Sequence, residues 1–169
     1  MKFAESLGMR LVKREEDYIQ IVNPLGEIEE YDILQNFPFS SESKRMGIII
    51  RYRQSGKIIF YVKGADVAMM NKVKPSQRET CQEFCENLAM EGLRTLVITQ
   101  KLVTLSAYTD FERRLNKAKS TLDSNRSERI REVIESLEVD MEYLAVTGVE
   151  DKLQEDVLQT IETLRQAGI

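Results

Sequence analysis

Residues 36–64, N-F-P-F-S-S-E-S-K-R-M-G-I-I-I-R-Y-R-Q-S-G-K-I-I-F-Y-V-K-G, decide the fold of this chain. Two apolar runs, Gly47–Gln54 and Lys57–Val62, predict strands joined at Ser55-Gly56 by a short turn of the hairpin kind. Ahead of them lies an aromatic, polar and basic loop from Phe37 to Met46, and behind them Lys63-Gly64-Ala65. A hairpin brings its two ends together, so Phe39 and Lys44 are expected near Lys63. An aromatic face, several hydroxyls and two or three cations would then share one mouth, which suits a flat ring with a phosphate tail. The same residues also admit a plainer reading. Phe37 and Phe39 would be core with Pro38 holding the backbone extended, and Lys44, Arg45 and Lys63 would be solvated surface charges.

Upstream, Met1–Leu7 has helical composition and ends at Gly8, a C-cap residue. It starts without an N-cap, as expected of a helix cut from a longer one. Met9–Val12 and Tyr18–Val22 predict two strands around the charged turn Lys13–Asp17, and Asn23-Pro24-Leu25-Gly26 predicts a further turn. Glu27–Phe37 reads as a long third strand, so the first half of the chain is expected to form an antiparallel meander.

Downstream, helical periodicity appears at Asp66–Asn71 and more clearly at Ser76–Met90, where Ser76 and Glu79 spell a capping box. Gly92 ends that helix and Leu93–Thr99 predicts a sixth, central strand. Thr104–Leu122 and Ser127–Leu137 are amphipathic helices separated by Asp123-Ser124-Asn125, and their dense charges predict a solvated face with i,i+4 pairs. Tyr143–Thr147 predicts a short strand, Gly148 a break, and Gln154–Gln166 a last helix. A lone strand, loop and helix cannot complete a parallel unit. Residues 141–169 are therefore expected to be a fragment of a neighbouring α/β domain, and residues 1–140 one domain.

Composition removes several classes of function. The 169 residues include no histidine, which excludes Ser-His-Asp and Cys-His nucleophiles and H-E-x-x-H metal sites. A net charge of −4 and the absence of tryptophan argue against a nucleic-acid partner. Cys81 and Cys85 share one helix face without C-x-x-C spacing and read as partly buried, reduced small hydrophobes. The apolar runs are of strand length, too short to span a membrane.

The order F-x-x-x-x-K-R-M followed by F-Y-V-K-G-A resembles the nucleotide-binding domain of P-type ATPases. The segment M-E-G-L-R-T-L (Met90–Leu96) is similar to the family stretch whose arginine, here Arg94, contacts nucleotide phosphates. T-G-V-E-D-K-L-Q-E-D-V (Thr147–Val157) resembles the phosphorylation-domain stretch of the type-IV branch, the phospholipid flippases. S-K-R-M-G-I-I-I-R with K-G-A-D looks most like the branch thought to work without an accessory subunit.

The resemblance implies an α+β fold, a twisted antiparallel sheet of about six strands flanked by helices, followed by a partial α/β segment. It implies ATP as ligand, with adenine stacked on Phe39 and Lys63 of K-G-A at the base of the pocket. Ser40, Glu42, Lys44, Gly64 and Arg94 complete the expected ATP-binding set. Gly64 is expected to let a ligand approach the backbone closely. Ser41 stands where some relatives carry a second basic residue. The sequence contains no D-K-T-G-T, so no phosphorylatable aspartate of the family kind, and none of the family's T-G-E, T-G-D or G-D-G-x-N-D motifs. The chain is thus expected to bind ATP without hydrolysing it. In the parent protein, with Mg2+, the implied activity is ATP-driven phospholipid translocation through an aspartyl-phosphate. That parent would sit in an endomembrane or the plasma membrane, with this domain on the cytosolic face. Its expected partners are the other cytosolic domains, the membrane domain and the phospholipid substrate. The rival reading is a protein-interaction domain that uses the charged helices of residues 104–137.

Overall fold

The computed structural model describes residues 2–121, 125–150 and 155–168. Seven antiparallel strands lie side by side in chain order: β1 (Arg10–Arg14), β2 (Tyr18–Val22), β3 (Ile28–Phe37), β4 (Arg45–Tyr52), β5 (Ile58–Ala65), β6 (Arg94–Val103) and β7 (Glu142–Val149). Tight connections make β1 to β5 the expected meander. The Asn23 turn shows why it closes: Asn23 Oδ1 accepts from the amides of Leu25 and Glu27, both at 3.0 Å, while Gly26 takes φ +83°.

The connection between β4 and β5 is longer than the two-residue turn expected at Ser55-Gly56. It runs from residue 53 to residue 57, closed by the Gly56 amide on the Tyr52 carbonyl at 2.8 Å. Arg53 explains the extra length. Its amide donates to the Glu30 carbonyl and its guanidinium pairs with Asp32, drawing the start of the turn back onto β3.

Two helical insertions complete the domain. α1 (Lys2–Ser6) precedes the sheet; α2 (Asp66–Met69) and α3 (Pro75–Met90) separate β5 from β6. α4 (Leu105–Ser120) and α5 (Arg126–Leu137) separate β6 from β7, and α6 (Val157–Gln166) follows. The capping box at Ser76 is not realised. Pro75 occupies the first turn with its φ already set for a helix, so α3 begins one residue earlier and Ser76 lies inside it. At α4 the expected start holds, with Thr104 accepting from the Ala107 amide at 3.2 Å. Of the last helix, Gln154 lies outside the described residues and α6 begins at Val157.

Alternation along the strands gives the sheet two unlike faces. Ile49, Phe60, Val62, Val97 and Thr99 point to one side and are almost wholly buried. There they meet Met69 of α2, Cys81 and Cys85 of α3, Phe111 and Leu115 of α4, and Leu137 of α5 in one cluster. The two cysteines are buried more fully than expected, and the apolar stripes of α4 and α5 are spent on this core. Gly47 is part of the packing: a Cβ there would stand 2.9 Å from the Phe60 ring, and Phe37, its partner across β3, packs edge-on against Phe60 and Phe111. Ile48, Ile50, Tyr61, Lys63 and Ile98 alternate to the opposite face, away from that cluster.

The strand expected to open a second domain is hydrogen-bonded into the same sheet. β7 pairs with β6 from Arg94↔Val149 to Gln100↔Glu142, which brings the sheet to seven strands. Gly148 is no break but a strand residue, where a Cβ would meet the Leu93 side chain at 2.7 Å.

Candidate functional site

The loop from Pro38 to Lys44 is a closed turn. The Lys44 amide donates to the Ser40 carbonyl at 2.9 Å, the hydroxyls of Ser40 and Ser43 bond each other at 2.7 Å, and Lys44 takes the left-handed φ of +51°. The Lys44 carbonyl then accepts from the Ala65 amide at 3.0 Å. Register continues the contact, with Arg45 opposite Gly64 and Met46 opposite Lys63. The loop and the K-G-A segment therefore meet, as the hairpin geometry requires.

Two clefts flank β4 at Met46 and Gly47. The back cleft, on the helix side, encloses about 220 Å3 between this loop and α5. Its wall is an ion cluster. Arg45 Nε donates to both Glu138 oxygens at 2.9 Å, Arg45 also reaches Glu135 at 3.2 Å, and Lys72 Nζ sits 2.8 Å from Glu138. The side chains of Arg45, Lys72 and Glu138 are 10%, 11% and 3% exposed. The Arg45 guanidinium loses solvation through burial, yet its pKa is raised because Glu138 and Glu135 hold its proton. At the rim Glu42 pairs with Arg131 at 2.8 Å.

The front groove lies on the opposite face of the sheet and encloses about 320 Å3. Met46, Ile48, Tyr61 and Ile98 make an apolar floor. Asn36, Lys63 and Arg14 supply its polar side chains. No carboxylate lines it, and neither Lys63 nor Arg14 has an ion-pair partner among the described residues. A flat ring with an attached anion matches these surfaces. Mg2+ does not, since it favours carboxylate ligands, so any such ion would be held by a ligand's own phosphate oxygens.

The expected site residues divide between these places. Lys63 is in the front groove. Arg94, the first residue of β6, shares that face: Ile98 is the register partner of Lys63, and four residues separate Arg94 from it. At about 3.3 Å per residue this is roughly 13 Å along the strand. Phe39 is 61% exposed on the loop and Lys44 is exposed beside it, but neither lines a cleft. Ser40 and Glu42 line the back cleft, and Glu42 is already engaged by Arg131. Gly64 corrects the reason given for it. Its missing Cβ makes room for the chain itself, since an added Cβ would stand 2.6 Å from Arg45 Cβ and 2.8 Å from the Lys44 carbonyl.

The sequence reading missed Met46, Tyr61, Ile98, Asn36 and Arg14. Strand alternation carried the signal for the first three, because hairpin register puts residues 46, 61, 63 and 98 on one face. Arg14 gave no such signal; it was read as part of a charged turn and is the last residue of β1.

Residues 1–156 match the family model for the P-type ATPase cytoplasmic domain N. The chain belongs to this family. Over all 169 residues it is 50% identical to a "Probable phospholipid-transporting ATPase IIB" of Danio rerio and 48% identical to the protein of that name of Homo sapiens. It is 44% identical over 171 residues to the "Phospholipid-transporting ATPase NEO1" of Saccharomyces cerevisiae. The N domain described here spans 14–15% of the length of these relatives. Their names agree with the type-IV resemblance of the sequence. In this N domain no helix among the described residues is long and apolar enough to cross a membrane.

Proposed function

We propose that this chain is the ATP-binding module of an ATP-driven phospholipid-translocating P-type ATPase and that ATP binds on the face of the sheet opposite the buried core. The observation that carries the reading is the front groove: an apolar floor with Lys63 at its edge, no carboxylate, and the Phe39 loop tied to the same end of β5. Adenine stacks on Phe39, for which base–aromatic contacts suggest about 1–3 kcal/mol. Lys63 presents a point charge worth about 1 kcal/mol in water and about 4 where the effective dielectric falls near 20. Arg94, further along the same face, grips a phosphate. Lys44 adds charge at the mouth, and Ser40, Glu42 and Gly64 shape the loop and its seat rather than touch the base.

In the parent protein this module delivers ATP to a phosphorylatable aspartate on another domain, and the work done is movement of a phospholipid across an endomembrane or the plasma membrane, with the module on the cytosolic face. The stretch after β7, which resembles the phosphorylation domain, leads the chain from the sheet toward it. Mg2+ acts there, on the phosphates.

Titration of the chain with ATP, followed through amide chemical shifts, tests this reading. Stacking and a few partly solvated cations must offset the cost of association, so a dissociation constant on the order of 0.1–10 mM is expected. Shifts clustered at Phe39, Lys63, Met46 and Arg94, nearly unchanged by Mg2+, are the expected result. Shifts spread over α4 and α5, or none, would sink it in favour of an interaction domain.

A further inference from the structure

We infer that Arg14 is a phosphate-binding residue of the front groove, so that the anionic part of the ligand lies between Arg14 and Lys63. The inference rests on the nucleotide reading above and adds a contact from an edge strand that the nucleotide motifs do not include. Arg14 ends β1, with three strands between it and β5 in the sheet order, yet its side chain lines the same groove as Lys63.

The cations around this sheet differ in what they hold. Arg51 and Arg53 are bound to Asp32, Arg45 to Glu138, Arg131 to Glu42 and Lys13, the neighbour of Arg14, to Glu15. Arg14 and Lys63 hold no carboxylate among the described residues, and they are the two charged side chains of the groove. An anion entering between them meets no like charge. A guanidinium offers paired N–H donors to phosphate oxygens. The Asn36 carboxamide, which also lines the groove, can donate one more. The apolar floor of Met46, Tyr61 and Ile98 selects an anion that carries a ring over a bare one.

The test compares wild type, Arg14→Ala, Arg14→Lys and Arg10→Ala, each titrated with adenosine, AMP, ATP and sodium tripolyphosphate at low salt without Mg2+. Arg10 lies on the same strand and does not line the groove. Arg14→Ala is expected to weaken ATP about five- to tenfold and AMP about twofold, and to leave adenosine unchanged, as loss of a charged phosphate contact requires. Tripolyphosphate should lose affinity in parallel with ATP. Arg14→Lys, which keeps the charge and loses the fork, should stay within about threefold of wild type for ATP. Arg10→Ala should match wild type throughout. If wild type binds nucleotides while Arg14→Ala binds ATP as tightly, or loses adenosine to the same degree as ATP, the role of Arg14 is overturned and the nucleotide reading stands. If wild type binds neither adenosine nor ATP, both fall together.

Discussion

The two clefts on either side of β4 have similar building materials and opposite electrostatic states. In the back cleft every cation is matched: Arg45 and Lys72 converge on Glu138, and Arg131 holds Glu42. In the front groove Lys63 and Arg14 are unmatched among the described residues, and no acid among them lines the wall. A charge buried with its partner is committed to the fold, because separating the pair leaves an uncompensated ion in a poor solvent. An unmatched charge at the edge of an apolar floor keeps its hydrogen bonds for a visitor. Position relative to carboxylates, more than residue type, separates the structural arginines here from the one proposed to bind a ligand.

The sharpest way to break that contrast is at Glu138. Glu138→Ala strands Arg45 and Lys72 and is expected to cost about 3–5 kcal/mol of unfolding free energy. Urea denaturation measures it, and a loss below about 1 kcal/mol would mean the back cleft is as wet as the front.

Phe39→Ala is expected to do the reverse. The ring is 61% exposed, so stability should hardly move, whereas adenosine binding should weaken by about 1–3 kcal/mol. Adenosine affinity that survives the change removes the stack.

Charge reversal gives the next effect. Lys63→Glu should weaken ATP at least about tenfold, or roughly 1.4 kcal/mol, while Lys57→Glu at the far end of β5 stays within about twofold. Equal losses in two folded variants, checked by thermal melts, would show attraction by net charge and no groove.

Alkaline pH probes how dry the helix side is. Burial pushes the Cys81 thiol up to about 12, from about 9 for an exposed one. A raised pKa in the folded state contributes stability that is present below pH 9 and is lost as pH rises toward 12. Between those values the unfolded chain releases a proton that the fold retains. Wild type should lose about 1 kcal/mol by pH 10 through this residue, and Cys81→Ala should show a flatter profile in urea midpoints. The smallest effect belongs to the rim, where Arg131→Ala removes two solvent-exposed pairs, with Glu42 and Glu128, and should cost under about 1 kcal/mol.

Much of this was legible in the residues. The meander followed from the Asn23-Pro24-Leu25-Gly26 turn and the apolar runs around Gly56, and the meeting of the Phe39 loop with Lys63-Gly64-Ala65 followed from hairpin closure. What escaped had tertiary causes. Gly64 was read as making space for a ligand, but its space is taken by Arg45, a contact that strand register alone creates. The partner of Glu42 lies 89 residues away on α5, beyond any local pattern. β7 was expected to open a separate unit because a lone strand, loop and helix cannot complete a parallel one, whereas its place beside β6 is a long-range antiparallel pairing that no local pattern shows.

Strand order in the sheet is the same as strand order in the chain, and this governs how the domain can assemble. Every pairing joins neighbours in sequence, so no strand waits for a distant one to be laid down first. The closures are nevertheless unequal. β1 to β5 are linked by short turns, whereas residues 66–93 and 104–141 must be gathered before β6 and β7 can zip on. Loop closure becomes costlier only slowly, by about 0.6 kcal/mol per doubling of length. The local hairpins nevertheless have the shorter search. Folding should therefore run along the sheet from the β4–β5 hairpin outward, with the β6–β7 pair among the last to gain hydrogen-exchange protection. A protein arranged this way forms the strand that carries Lys63 early and its β7 border late.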